Sequence, residues 1–373
     1  MLDAVNIIYI LTIVLVLNKY YHISNLYQII LLLHLFSIFL FNGFLIDSSL
    51  MPDQFNYFEV TQNIRMFDFL NESNFANGKT VYISGLIFGL FPIPFIDSLY
   101  SIGMINYILY LFIFLFLYKK RFLSSRFIVY FYLLYPSLLL YSSLALRDML
   151  IFTIMFFATY YILIVKKGLV GFGSIFLLQF IKFQNLLIYV VALITSILLS
   201  PKNNKYNFIF FIIAFAPILF LLDFFTIEKL NYYRLAFYNE NLLSVHEPYI
   251  PISSYFDLLL SIIPSIMMQL FRPLPWEEFG ILQLLQFSEN CVIFILILYI
   301  LKENFKYKLW KMQEIKFLNV LLFLALLIYG LVSYNSGTAV RYKFPFIGIY
   351  IIYSFYFIYQ KKQLIKKSSL CVE

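Results

Sequence analysis

Charge is scarce in this chain. Asp, Glu, Lys and Arg make up 12% of it, against roughly 25% in a soluble domain, which excludes an ordinary water-soluble fold. Cysteine is scarcer still. Cys291 sits in an apolar run and Cys371 in the tail, so neither a disulfide framework nor a thiolate metal site is indicated. The three histidines, His22, His34 and His246, are too scattered to form a ligand set. No Walker loop, glycine-rich dinucleotide fingerprint or zinc spacing occurs. The expectation is a protein with no metal, no cofactor and no nucleic-acid partner. Internal repeats and low-complexity linkers are also lacking, so residues 1–373 read as one integral membrane domain.

What is present is apolar. The chain is 62% hydrophobic, with a mean hydropathy of +0.86. Its 373 residues suffice for about eleven spans of ~20 residues with short connections. The runs are too strongly apolar for a barrel, which leaves an all-α, polytopic transmembrane helical bundle. The first run, Ile7 to Leu17, has no basic residue ahead of it and no small-residue cleavage site, so it reads as a span rather than a signal peptide.

Thirteen apolar runs occur, at about 4–17, 27–46, 81–96, 98–118, 126–143, 149–165, 169–181, 186–200, 206–222, 257–271, 284–301, 317–334 and 344–359. Basic loops decide which of them cross. Lys119 to Arg126, Lys166–Lys167, Lys202 with Lys205, Lys302 to Lys316 and Lys361 to Lys367 should all be cytoplasmic. Counting every run as a span breaks this at 81–96 and at 257–271. Both are marked by proline, in Phe91-Pro-Ile-Pro-Phe95, at Pro264 and in Arg272-Pro-Leu-Pro275. Proline removes a backbone donor and suits re-entrant or interfacial segments. Eleven spans then remain, with the N-terminus outside and the C-terminus in the cytoplasm. Cytoplasmic segments hold 18 of the 27 Lys and Arg, and the outer face holds 16 of the 19 Asp and Glu. Two large outer loops follow, at about 47–97 and 223–289.

Arginine breaks the pattern. Of seven, only Arg121 and Arg126 are cytoplasmic on this topology, while Arg65, Arg147, Arg234, Arg272 and Arg341 lie outside. Lysine suffices to orient a loop, whereas guanidinium grips phosphate or carboxylate with a planar fork. The outer arginines therefore point to an anionic ligand or to the outer carboxylates. Arg147 precedes Asp148 at the head of a span. Asp148 suits the positive end of a helix, which Arg147 does not, so Arg147 is the stronger ligand candidate. Arg341 and Lys343 bring two cations to another outer turn beside Gly337, and Lys182 occupies a short one. As a general base, Asp53 leads. Glu59, Asp148 and His246 follow, since each can take a proton near a membrane boundary.

Three stretches carry a resemblance: Pro136-Ser-Leu-Leu-Leu-Tyr-Ser-Ser-Leu-Ala-Leu-Arg-Asp148, Phe271-Arg-Pro-Leu-Pro-Trp-Glu277 and Asn335-Ser-Gly-Thr-Ala-Val-Arg-Tyr-Lys343. In order, spacing and shared face they resemble the bacterial Wzy-type O-antigen and capsule repeat-unit polymerases. Pro52-Asp-Gln-Phe-Asn-Tyr57 is similar to the first outer loop of the wider GT-C glycosyltransferases. The resemblance implies a GT-C-like, metal-independent polymerase in the bacterial inner membrane. It would transfer glycan from undecaprenyl pyrophosphate to a lipid-linked repeat unit at the periplasmic face, with a chain-length regulator as a partner. Arg147, Arg272 and Arg341, with Lys182, Lys343 and Arg65, would bind pyrophosphate and glycan. Two alternatives stand beside it: a GT-C transferase adding a single sugar from a polyprenyl-phosphate donor, and a flippase for lipid-linked oligosaccharide.

Overall fold

An apolar run becomes a span only if its helix stays unbroken long enough, since each residue adds about 1.5 Å against a hydrocarbon core of about 30 Å. The computed structural model describes residues 2–42, 44–45, 51–76, 78–120, 122, 126–199, 226–240, 249–277, 280–333 and 336–370, and every element among them is helical. Five helices are long and apolar enough to cross a membrane: Leu2–Tyr21, Leu99–Lys119, Asp148–Val165, Ile281–Lys306 and Gln313–Val332. The architecture is that of a helical membrane protein. The chain divides into two compact units, Met1–Phe183 and Gln184–Glu373.

In the first unit the helices are α1 (Leu2–Tyr21), α2 (Asn25–Phe41), α3 (Asp53–Arg65), α4 (Ser73–Ala76), α5 (Lys79–Gly89), α6 (Leu99–Lys119), α7 (Arg126–Leu134), α8 (Pro136–Tyr141), α9 (Asp148–Thr159, continued by a π-turn Tyr160–Val165), α10 (Gly168–Phe176) and α11 (Leu178–Ile181). Two apolar runs prove to be interrupted. The run at 126–143 breaks at Tyr135, whose ψ of 110° is extended, as the ring of a following proline requires. The run at 169–181 divides between α10 and α11 at Leu177.

The run at 81–96 makes only α5, whose 11 residues reach about 16 Å, half of what a crossing needs. It packs on α3 instead. Gly85 and Gly89 lie one turn apart, and a Cβ on them would come within 2.5 Å of Val60 and 2.6 Å of Ile64. Only glycine lets the two helices approach so closely. Beyond α5, Asn6 near the start of α1 exchanges two hydrogen bonds with the Phe95 backbone, of 2.8 and 3.1 Å. Asp3 accepts from Ser98 Oγ and Ser101 Oγ at 2.8 and 2.9 Å. The first turns of α1 and α6 are thereby pinned side by side.

The second unit holds α12 (Phe183–Leu198, whose first residue belongs to the first unit), α13 (Ile227–Glu240), α14 (Tyr255–Phe271), α15 (Ile281–Lys306), a 3-10 turn (Leu309–Lys311), α16 (Gln313–Val332) and α17 (Ser336–Leu370). The run at 257–271 forms α14, 17 residues with Pro264 inside. Gly330 of α16 lies against the Ser265 carbonyl, one residue past that proline, where a Cβ would collide with backbone. The apolar run at 206–222 lies outside the described residues.

Candidate functional site

Between α8 and α9 the helix stops, yet the chain stays buried: Ser142, Ser143, Leu144, Ala145 and Leu146 are all 0% exposed. Buried backbone outside a helix must find hydrogen bonds elsewhere. Here side chains supply them. Asn106 Nδ2 of α6 donates to the Leu144 and Leu146 carbonyls at 2.7 Å each. Asn42 Nδ2, just past α2, donates to the Ser143 carbonyl at 2.7 Å. Gln54 of α3 accepts from the Ala145 N–H at 2.8 Å. Two side-chain pairs complete the strapping, Ser37 with Ser143 Oγ at 2.8 Å and His34 Nε2 with Ser142 Oγ at 2.9 Å. Gly103 of α6 makes room, because a Cβ there would strike the Ser143 carbonyl.

The strapped turn delivers Arg147 to the N-terminus of α9. Its guanidinium carbon lies 5.7 Å from the centre of the Tyr57 ring on α3. Its Nη1 is buried and has no hydrogen-bond partner among the described residues. A helix N-terminus adds unsatisfied N–H groups and a partial positive charge, so this corner is chemically disposed to hold an anion. Asp148, 4% exposed, is the first residue of α9 rather than its cap. It interacts within the chain.

Asp53 begins α3 one turn before Tyr57 and next to Gln54, at the end of α3 that docks on the strapped turn. It is half-buried and also interacts within the chain. Glu59 is exposed, two residues past Tyr57 and so on another face. Arg65 ends the same helix, about 18 Å along its axis from Asp53. Its Nη2 donates to the Phe91 and Ile93 carbonyls at 2.5 and 2.9 Å. Burial lowers its pKa without discharging it. Arg65 is thus a strut tying α3 to the proline segment. Lys182 occupies the bend between α11 and α12, half-exposed and engaged within the chain.

The second unit has its own basic cluster, built around the end of α14. Arg272 is 8% exposed. Its Nε donates to Glu277 Oε1 at 2.7 Å, while Glu277 Oε2 accepts from the Leu274 N–H at 3.1 Å. One carboxylate thereby closes the Arg-Pro-Leu-Pro-Trp-Glu turn. The Arg272 carbonyl accepts from Lys343 Nζ at 2.8 Å and from Asn290 Nδ2 at 2.9 Å. Lys343, 2% exposed, also donates to the Leu270 carbonyl at 2.9 Å. It completes the C-terminus of α14, as a cation there should, and Glu289 lies within electrostatic reach of it. Arg341 is half-buried on the first turns of α17 and interacts within the chain. Arg234 donates to the Leu331 and Ile250 carbonyls at 2.6 and 3.1 Å.

The arginines that the sequence assigns to the outer face therefore differ in what they meet. Arg65, Arg234 and Arg272 each have acceptors inside the protein, although Arg65 Nε is also buried without one, whereas among the described residues no acceptor meets the buried Nη1 of Arg147. His246 lies outside the described residues. Sequence reasoning passed over Asn42, Gln54, Asn106 and Asn290, the side chains that hold the two turns in shape. Their signal was a carboxamide in or beside an apolar run, where a polar group marks function or a partner. No known family matches the chain, nor does any curated protein or solved structure.

Proposed function

We propose that the chain is a polymerase of lipid-linked oligosaccharide repeat units, as its likeness to the Wzy-type polymerases implies. The observation that carries the reading is the buried Nη1 of Arg147, left without an acceptor among the described residues at a helix N-terminus. A buried cationic donor in this state calls for an anion from outside the chain. Undecaprenyl pyrophosphate is such an anion, and it arrives within a membrane.

In the reaction, an acceptor-sugar hydroxyl attacks the anomeric carbon of the donor glycan. The new glycosidic bond forms as the bond to pyrophosphate breaks, and the lipid pyrophosphate leaves with the bonding electrons. Asp53 takes the hydroxyl proton, with Glu59, Asp148 and His246 as the other candidate bases. Arg147 binds the departing pyrophosphate and stabilises its growing charge. A polymerase handles two lipid pyrophosphates, and the candidate cations fall in both compact units. Arg272, Arg341 and Lys343, all in the second unit, are the candidates for the other pyrophosphate. The proposed topology is GT-C-like, with eleven spans, a periplasmic N-terminus and a cytoplasmic C-terminus in the bacterial inner membrane.

The test is glycan profiling of a strain that depends on this chain. Arg147→Ala should remain at normal level in the membrane while only single repeat units reach the surface. Arg147→Lys should restore little, because one ammonium cannot replace the fork. Normal-length polymer in Arg147→Ala would overturn the assignment. Repeat units stranded on the cytoplasmic leaflet would identify a flippase, and an altered repeat composition would identify a single-sugar transferase.

A further inference from the structure

The segment between α3 and α4 is built inside out. Its large apolar side chains face outward: Met66 is 67% exposed, Phe67 83%, Phe69 37% and Leu70 86%. Its polar groups bond to one another, Asn74 in the interior and the Asp68–Asn71 pair at the surface. Asn63 Nδ2 donates to Asn74 Oδ1 at 2.9 Å, Asn74 Nδ2 to the Asp68 carbonyl at 2.8 Å and Asn71 Nδ2 to Asp68 Oδ2 at 2.8 Å. Asn74 is wholly buried. The backbone is held as well, by Met66 N–H on the Gln62 carbonyl at 3.0 Å and Asp68 N–H on the Asn63 carbonyl at 2.9 Å. Phe67 adopts φ +62°, a left-handed conformation unfavourable for a bulky residue. Such a turn is no slack loop. Its hydrogen bonds hold four apolar side chains away from the protein.

The position of the turn says what covers those side chains. Arg65 immediately precedes it and is bonded to the Phe91 and Ile93 carbonyls. The same proline segment is bonded through Phe95 to Asn6. Asp3 holds Ser98 and Ser101, where α6 begins. The turn is therefore tied to the level at which α1 and α6 start, and both helices are long and apolar enough to cross a membrane. Leu90 and Phe95, in and beside the same segment, are 72% and 41% exposed. An apolar prominence at the end of membrane-length helices meets the boundary of a bilayer.

We infer that Met66, Phe67, Phe69 and Leu70 form a wedge that inserts into the lipid surface and anchors α3 at the membrane boundary. The consequence bears on the site, because α3 carries Gln54 and Tyr57 against the strapped turn. The wedge nevertheless stands apart from any reading of the reaction, and its test uses no activity.

The experiment uses the full chain in nanodiscs of zwitterionic lipid, with Cys291 and Cys371 replaced by serine. Single cysteines Phe67→Cys, Leu70→Cys and Glu72→Cys each carry an environment-sensitive fluorophore. Glu72 is exposed on the same segment but polar, so it is the control. At positions 67 and 70 the emission should shift to the blue and be quenched by nitroxide-labelled lipid, while position 72 keeps water-like emission. Water-like emission at 67 and 70 would overturn the proposal. So would a blue shift that nitroxide lipid does not quench and that vanishes at one copy per disc, since the partner would then be a second copy of the chain. Equal quenching at all three positions would also refute it, because the two-faced turn would not exist.

Discussion

Asn106→Ala tests whether side chains, rather than backbone, hold the turn that presents Arg147. The substitution removes two hydrogen bonds of 2.7 Å from carbonyls that are wholly buried. Each buried acceptor left unmet costs about 1–3 kcal/mol, so the pair costs about 2–6 kcal/mol. The Asn106 side-chain oxygen has no partner among the described residues, and its removal offsets about 1–3 kcal/mol of that. A net local loss of about 2 kcal/mol, the middle of that range, opens the turn about 30-fold more often. Hydrogen exchange of the peptide covering residues 142–147 reads this directly, with the peptide from 281–306 in the other unit as a control. Asn106→Asp keeps the shape but presents a carboxylate to the two carbonyls, and should be at least as damaging. Unchanged exchange at 142–147 in Asn106→Ala would refute the idea that Asn106 holds the turn.

Two further outcomes follow from the second unit. Glu277→Ala leaves the nearly buried Arg272 without its carboxylate, a loss of about 3–5 kcal/mol in the thermal stability of the purified chain. The double variant Arg272→Met with Glu277→Leu should lose clearly less, and an equal loss would count against the pairing. Asp257 accepts from Ser253 Oγ at 2.6 Å and its N–H donates to Ser254 Oγ at 3.1 Å. The hydroxyls of Ser253, first, and Ser254 hold its carboxyl below the ordinary 3.8. A lowered pKa stabilises above the ordinary value, and that stability is lost as pH falls through the folded value. The melting temperatures of the wild type and Asp257→Asn should therefore differ at neutral pH and converge below pH 3.8, whereas a gap constant with pH would contradict the assignment.

Hydropathy alone made the class legible, because a run of apolar residues with almost no charge has few stable fates. It also flagged 81–96 and 257–271 as unlike the other runs, through proline and the balance of basic loops. The first of these is a short helix packed on α3 by two glycines, a pairing that no local pattern announces. Charge patterning also singled out the pair Arg147–Asp148, since guanidinium beside carboxylate at the edge of an apolar run is unusual in any setting.

What the linear order could not reveal is which arginine already has carbonyl or carboxylate acceptors inside the protein. Arg65, Arg147 and Arg272 look alike as arginines that the sequence assigns to the outer face. Partners tens of positions away separate them: the Phe91 and Ile93 carbonyls for Arg65, and for Arg147 a tyrosine ring with no acceptor at Nη1. Arg272 illustrates the other limit, for its carboxylate is only five residues away, but only the folded turn brings the two within 2.7 Å. The same holds for Asn42, Gln54 and Asn106, polar side chains whose meaning comes from backbone carbonyls and an N–H contributed by another part of the chain. Composition and periodicity determine that this chain enters a membrane as helices, because solvent transfer is a local, additive property. Whether a buried cation is a strut or an open binding group depends on hydrogen bonds between distant residues, and only the tertiary structure decides those.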